Sequence, residues 1–159
     1  MTLRHFAGLL LGVVVTAAVL VGGGWAAQQA FAAGMAVPPG GQRLWIALGS
    51  MAAVGLVVGL VVAGRVSPLA TFVPSLVLLA WTVVYALDPG RALSLIPSRP
   101  TMHWLVNEAG AGNKTLLSLG VHGLLGVALF IPVLIPSRWA RRDDDLDEEY
   151  EPSQEGSYY

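Results

Sequence analysis

His122 is the residue best suited to chemistry in this chain, because it is the one ionisable side chain inside an uninterrupted apolar run. An imidazole at such a place serves as a ligand, as a proton carrier or as a hydrogen-bonding group between helices. Its neighbours narrow the choice. No second histidine lies in an apolar run, which excludes a bis-histidine haem site, and no carboxylate lies in one to complete a proton relay. Ser118 stands one helical turn before His122. A nucleophile and base also need an orienting group and an oxyanion site, and nothing nearby supplies either. His122 is therefore read first as a hydrogen-bonding group between helices, with a ligand or proton site as the alternative.

Other reactive groups are sparse. Asp88, His103 and Glu108 lie in one polar stretch, but their spacing matches no metal-ligand signature. The chain has no cysteine, which removes disulfides, thiolate metal sites and cysteine nucleophiles together. Asn113-Lys114-Thr115 has the form of an N-glycosylation sequon. No catalytic residue, metal or cofactor is expected, and the chain is not read as an enzyme.

The elements that must position these groups are apolar helices. Phe6 to Val21, Leu44 to Val62, Pro68 to Leu87 and Thr115 to Pro136 contain no Asp, Glu, Lys or Arg, in a chain of 159 residues that is 55% hydrophobic. Each run is about the length that crosses a hydrocarbon core of roughly 30 Å as a helix. A mean hydropathy of +0.65 agrees. The predicted fold is an all-α integral membrane four-helix bundle over residues 1–142, with spans at about 6–27, 44–63, 68–87 and 115–136. The first run follows a short basic segment and precedes Gly24-Trp25-Ala26, as in a signal peptide. Its length exceeds the usual ~7–15 apolar residues of such a leader, so it is read as a retained anchor.

Punctuation between the runs is clear. Val37-Pro38-Pro39-Gly40-Gly41 ends the first helix, Gly64 to Pro68 offers Ser67 as an N-cap, and Asp88-Pro89-Gly90 stops the third. In the long connection from Asp88 to Lys114, Thr101 is expected to cap a short interfacial helix carrying Met102, Trp104, Leu105 and Val106, which forms an outer lid. Trp25, Trp45, Trp81 and Trp104 mark the outer interface and Trp139 the inner one. Pro74 and Pro132 are expected to kink their helices. Small residues recur at packing intervals in Gly8 and Gly12, in Gly55 and Gly59, and in Gly120, Gly123 and Gly126. These are read as helix-packing positions, within the bundle or toward another membrane protein.

Charge is distributed unevenly. All nine basic residues precede Asp143, whereas of the ten acidic residues only Asp88 and Glu108 do. Counting bases near the helix ends places both termini in the cytoplasm, with the tight turn at Arg65 also inside. Residues 143–159 have little to bury and are expected to be a disordered acidic cytoplasmic tail. Asp143, Asp144, Asp145, Glu148, Glu149 and Tyr150 form its possible partner-binding segment.

With Ala/Gly/Val-rich helices, eight Arg to one Lys and an acidic C-terminal tail, the chain resembles the small four-span membrane proteins of unknown function found in actinobacteria. The resemblance covers the whole chain in composition and implies a multi-pass protein of a bacterial cytoplasmic, or plasma, membrane. The membrane carboxylate of small multidrug exporters, the cysteine pair of quinone-linked disulfide enzymes and the paired histidines of cytochrome b-like bundles are all missing. The expected function is a non-catalytic subunit or scaffold of a cell-envelope membrane complex. Its partners would be the lipid bilayer and a membrane protein or a second copy, with no nucleic acid. The alternative is an oligomeric channel or small-solute transporter using His122.

Overall fold

A computed structural model describes residues 2–37, 40–63, 69–97 and 101–134, with residues 2–5 as backbone alone. Among these residues the structure is helical throughout, with no strand. Helix α1, Thr2–Ala17, passes into a π-helical segment, Ala18–Gly23, and then into α2, Gly24–Gly34. Gly23 and Gly24 keep right-handed helical angles, so the three pieces form one rod roughly 50 Å long at 1.5 Å per residue. Gly40 and Gly41, with φ of 104° and 82°, turn the chain where only glycine is unstrained. Helix α3, Gln42–Ala63, returns antiparallel, and α4, Leu69–Leu87, follows.

Asp88 ends α4 and N-caps a short helix α5, Pro89–Ser94, its side chain accepting from the Arg91 N–H at 2.9 Å. Helix α6, Trp104–Ser118, precedes α7, Val121–Phe130, which finishes in a 3-10 turn, Ile131–Leu134, containing Pro132. Phe6–Gly34, Gln42–Ala63 and Leu69–Leu87 are each long and apolar enough to cross a membrane. The stretches Trp104–Ser118 and Val121–Leu134 pass together but are bent by 79°, making a fourth span if the pair is one.

Two expectations change here. The run 115–136 is not one helix: its first turn belongs to α6, and Gly120, at φ 77° and ψ 8°, swings α7 away. Apolar composition continues through this point because both arms pack against other helices, so hydropathy does not register the break. The helix expected after Thr101 begins instead at Trp104, with His103 Nδ1 accepting from the Leu105 N–H at 3.3 Å. It continues to Ser118, much further than a short lid.

Packing is built on close approaches. A Cβ on Gly12 would lie 2.9 Å from Val73 Cβ, which sets α1 against α4. Gly126 similarly seats α7 on α4 beside Leu79, and Ser75 Oγ donates to the Gly126 carbonyl at 2.8 Å. Pro74 is buried within α4, which stays helical around it. The main core gathers Val15, Val19, Val61, Ala70, Leu78 and Leu129 from four helices. A second cluster, Ala92, Ile96 and Leu117, lies against Trp81, Val84 and Tyr85. Trp81 Nε1 ties α4 to α5 by donating to the Ala92 carbonyl at 3.3 Å. Helix α3 differs from the rest, since only Ala47 and Val61 along its length are buried.

Candidate functional site

Gln29, Glu108, Asn113 and Arg43 gather where α6 crosses α2, at the end of the rod far from Thr2. Crossing helices need small residues at the contact. Here the contact is between backbones: a Cβ on Gly112 would collide with the Gly24 carbonyl, and one on Gly24 would lie 2.5 Å from the Ala109 carbonyl oxygen. This closeness brings Asn113 Nδ2 to the carbonyl of Leu20 at 2.6 Å, inside the π-helical segment. The wider π turn disturbs the regular ladder of backbone bonds and recurs at functional sites. One side chain thus fastens α6 to the irregular part of the first helix.

On the neighbouring face of the crossing, Gln29 Nε2 donates to Glu108 Oε2 at 2.6 Å. Trp25, Gln29, Arg43, Ile46, Trp104 and Glu108 line a cavity of about 240 Å³ between α2, the first turn of α3 and α6. Trp25 Nε1 is buried without a hydrogen-bond partner among the described residues. The cavity combines two indoles, a carboxylate and a guanidinium, a set able to bind a ligand that carries both charges.

No family model, curated protein or solved structure matches this chain. Its site is therefore interpreted from its own geometry.

His122 lies in the first turn of α7, fully buried, with its ring centroid 6.3 Å from that of Trp81. Neither Nδ1 nor Nε2 has a hydrogen-bond partner among the described residues. Gly123 packs on Thr82, with a Cβ there 3.1 Å from Thr82 Cγ2, and Gly126 packs on Leu79. Gly120 lies outside both helices, serves the turn and has open space around it. Gly8 is buried in α1. Gly55 and Gly59 are exposed on α3, with nothing among the described residues within 4 Å of a Cβ at either.

Asp88, His103 and Glu108 are not brought together: the first caps α5, the second caps α6 and the third meets Gln29. Asp143, Asp144, Asp145, Glu148, Glu149 and Tyr150 lie outside the described residues, as do Ser67 and Trp139. Sequence reasoning missed Gly24, Gly112, Asn113, Gln29 and Arg43 as parts of a site. Their available signals were the run Gly22-Gly23-Gly24 and the alternation Ala109-Gly110-Ala111-Gly112, both permissive of close backbone contact.

Proposed function

We propose that this protein is a non-catalytic subunit or scaffold of a bacterial plasma-membrane complex. In this reading it crosses the membrane four times, counting the bent α6–α7 pair as one span, with both termini and the acidic tail in the cytoplasm. The observation that carries the reading is the open face of α3. Gly55, Gly59 and Ala63, spaced by four, form an exposed groove, and Leu56 and Leu60 stand beside it at 65% and 63% exposure. In lipid, apolar side chains gain little by burial against one another, so helices associate by close backbone packing, which this groove permits. A partner helix, or α3 of a second copy, would fill it.

Crosslinking in intact membranes followed by purification tests this. The full chain is expected to capture a reproducible membrane partner or itself, and Gly59→Ile to lose it while the bundle stays folded, because nothing among the described residues occupies that space. Unchanged capture by Gly59→Ile would remove the argument.

A second reading, transport of a small solute through His122, is favoured by one observation. The helix breaks at Gly120, two residues before His122, and transporters place substrate sites at discontinuous helices. It requires that His122→Ala abolish flux in reconstituted vesicles while thermal unfolding shows a folded protein. Unchanged flux would end it.

A further inference from the structure

We propose that the cavity between α2, α3 and α6 binds a zwitterionic headgroup, a primary ammonium joined to a phosphate, presented by a membrane lipid. Its volume of about 240 Å³ falls below the ~300–1,000 Å³ of sites that enclose whole drug-sized ligands. It suits one end of a longer molecule.

The lining assigns the two charges. Glu108 is held through Oε2 by Gln29, which leaves its second oxygen to accept from an ammonium. Trp25 and Trp104 line the same cavity, and indole faces attract cations. A primary ammonium satisfies both the carboxylate and the rings, whereas a quaternary one has no N–H for Glu108. Arg43 supplies the guanidinium that matches a phosphate in shape and charge. The Trp25 indole N–H, buried and without a partner among the described residues, is a further donor. No ion pair joins Arg43 to Glu108 among the described residues, so each charge faces a ligand rather than the other. A lone anion would meet Glu108 and a lone cation Arg43, which disfavours both.

Position points to lipid as the source. Trp25 follows Phe6 along a continuous rod by roughly 28 Å at 1.5 Å per residue. If the rod crosses the bilayer, the cavity stands at headgroup level, about one hydrocarbon thickness from Phe6. The proposal depends on the helices crossing a membrane and is independent of what α3 meets.

The test is native mass spectrometry of the full chain in detergent, with phosphatidylethanolamine and phosphatidylglycerol of identical acyl chains in competition. The wild type is expected to retain phosphatidylethanolamine about tenfold over phosphatidylglycerol, and Glu108→Gln to bring the ratio near one. Trp104→Ala should weaken retention, and because Trp104 is 59% exposed the variant keeps its packing. Trp45→Ala, altering an exposed indole outside the cavity lining, should change nothing. Free O-phosphoethanolamine, added as a competitor, distinguishes the sources. Weak displacement supports the lipid, and displacement at the lipid's own affinity overturns it in favour of a soluble zwitterion. Equal retention of the two lipids by the wild type, or an unchanged preference in both Glu108→Gln and Trp104→Ala with native helicity, would overturn the site.

Discussion

Asn113 and His122 are both buried polar side chains, but among the described residues only Asn113 has a partner, through Nδ2, while its Oδ1 and both His122 nitrogens have none. Asn113 is 6% exposed and donates to the Leu20 carbonyl. Its bond holds a helix crossing, and such bonds in membrane proteins average ~0.6 kcal/mol and reach ~1.7. Asn113→Leu should therefore lower stability by roughly 1 kcal/mol in thermal unfolding in detergent, with a larger fall if the leucine does not fit beside Gly24. An unchanged midpoint would show that the bond contributes nothing. Burial also removes Asn113 as a glycan acceptor, whatever the sequon suggests. Among the described residues neither His122 nitrogen has a partner, and a buried polar atom left unpaired costs ~1–3 kcal/mol. His122→Phe should hold or raise the unfolding midpoint, and a clear fall would mean that the imidazole is paired in the membrane. Gly112 is the strictest position, since its missing Cβ is where the Gly24 carbonyl sits. Gly112→Ala should cost ~1–3 kcal/mol by overpacking, whereas Gly34→Ala, with nothing within 4 Å, should be neutral or mildly stabilising.

At the scale of elements, the turn at Gly120 decides the architecture of the C-terminal third. Its φ of 77° costs a side-chain-bearing residue ~1–2 kcal/mol. Because open space surrounds it, Gly120→Ala isolates that backbone term. The expected result is a loss of that size without a packing defect, and a larger one would show that α6 and α7 change their angle. The residues of α6 explain why its extent was hard to read. Asn107, Glu108, Asn113 and Lys114 interrupt the apolar pattern, so the hydrophobic signal fades where the helix is continuous and resumes before it ends. By contrast, α3 and α4 were legible to within two residues of their ends. Their charge-free apolar stretches coincide with single helices, and Asp88 supplies an explicit stop.

For the whole molecule, the uneven charge makes topology testable. A reporter active only in the cytoplasm is expected to work when fused after Tyr159 and to fail when inserted between Ser94 and Asn107. The reverse pattern would invert the orientation. A chain ending at Arg142 is expected to keep the bundle and lose any partner recognised through Asp143 to Tyr150, as read by the crosslinking above. Retention of that partner by the shortened chain would assign recognition to the helices.

By itself, the amino-acid sequence determined that the protein is built of long apolar helices. Hydropathy, charge exclusion and proline or glycine stops act locally and read the same in any arrangement. It also singled out His122, because charge in an apolar run is conspicuous. Tertiary structure alone decided that α6 crosses α2 through Gly24 and Gly112, that the run 115–136 bends at Gly120 and that Glu108, Arg43 and two tryptophans share one cavity. Those outcomes depend on contacts between residues distant in the chain. Gln29 and Glu108 meet across 79 positions, and no local periodicity carries that pairing. Close backbone approach is set by the absence of a side chain, so a glycine at a crossing and a glycine facing open space, such as Gly112 and Gly55, read alike until the helices are assembled.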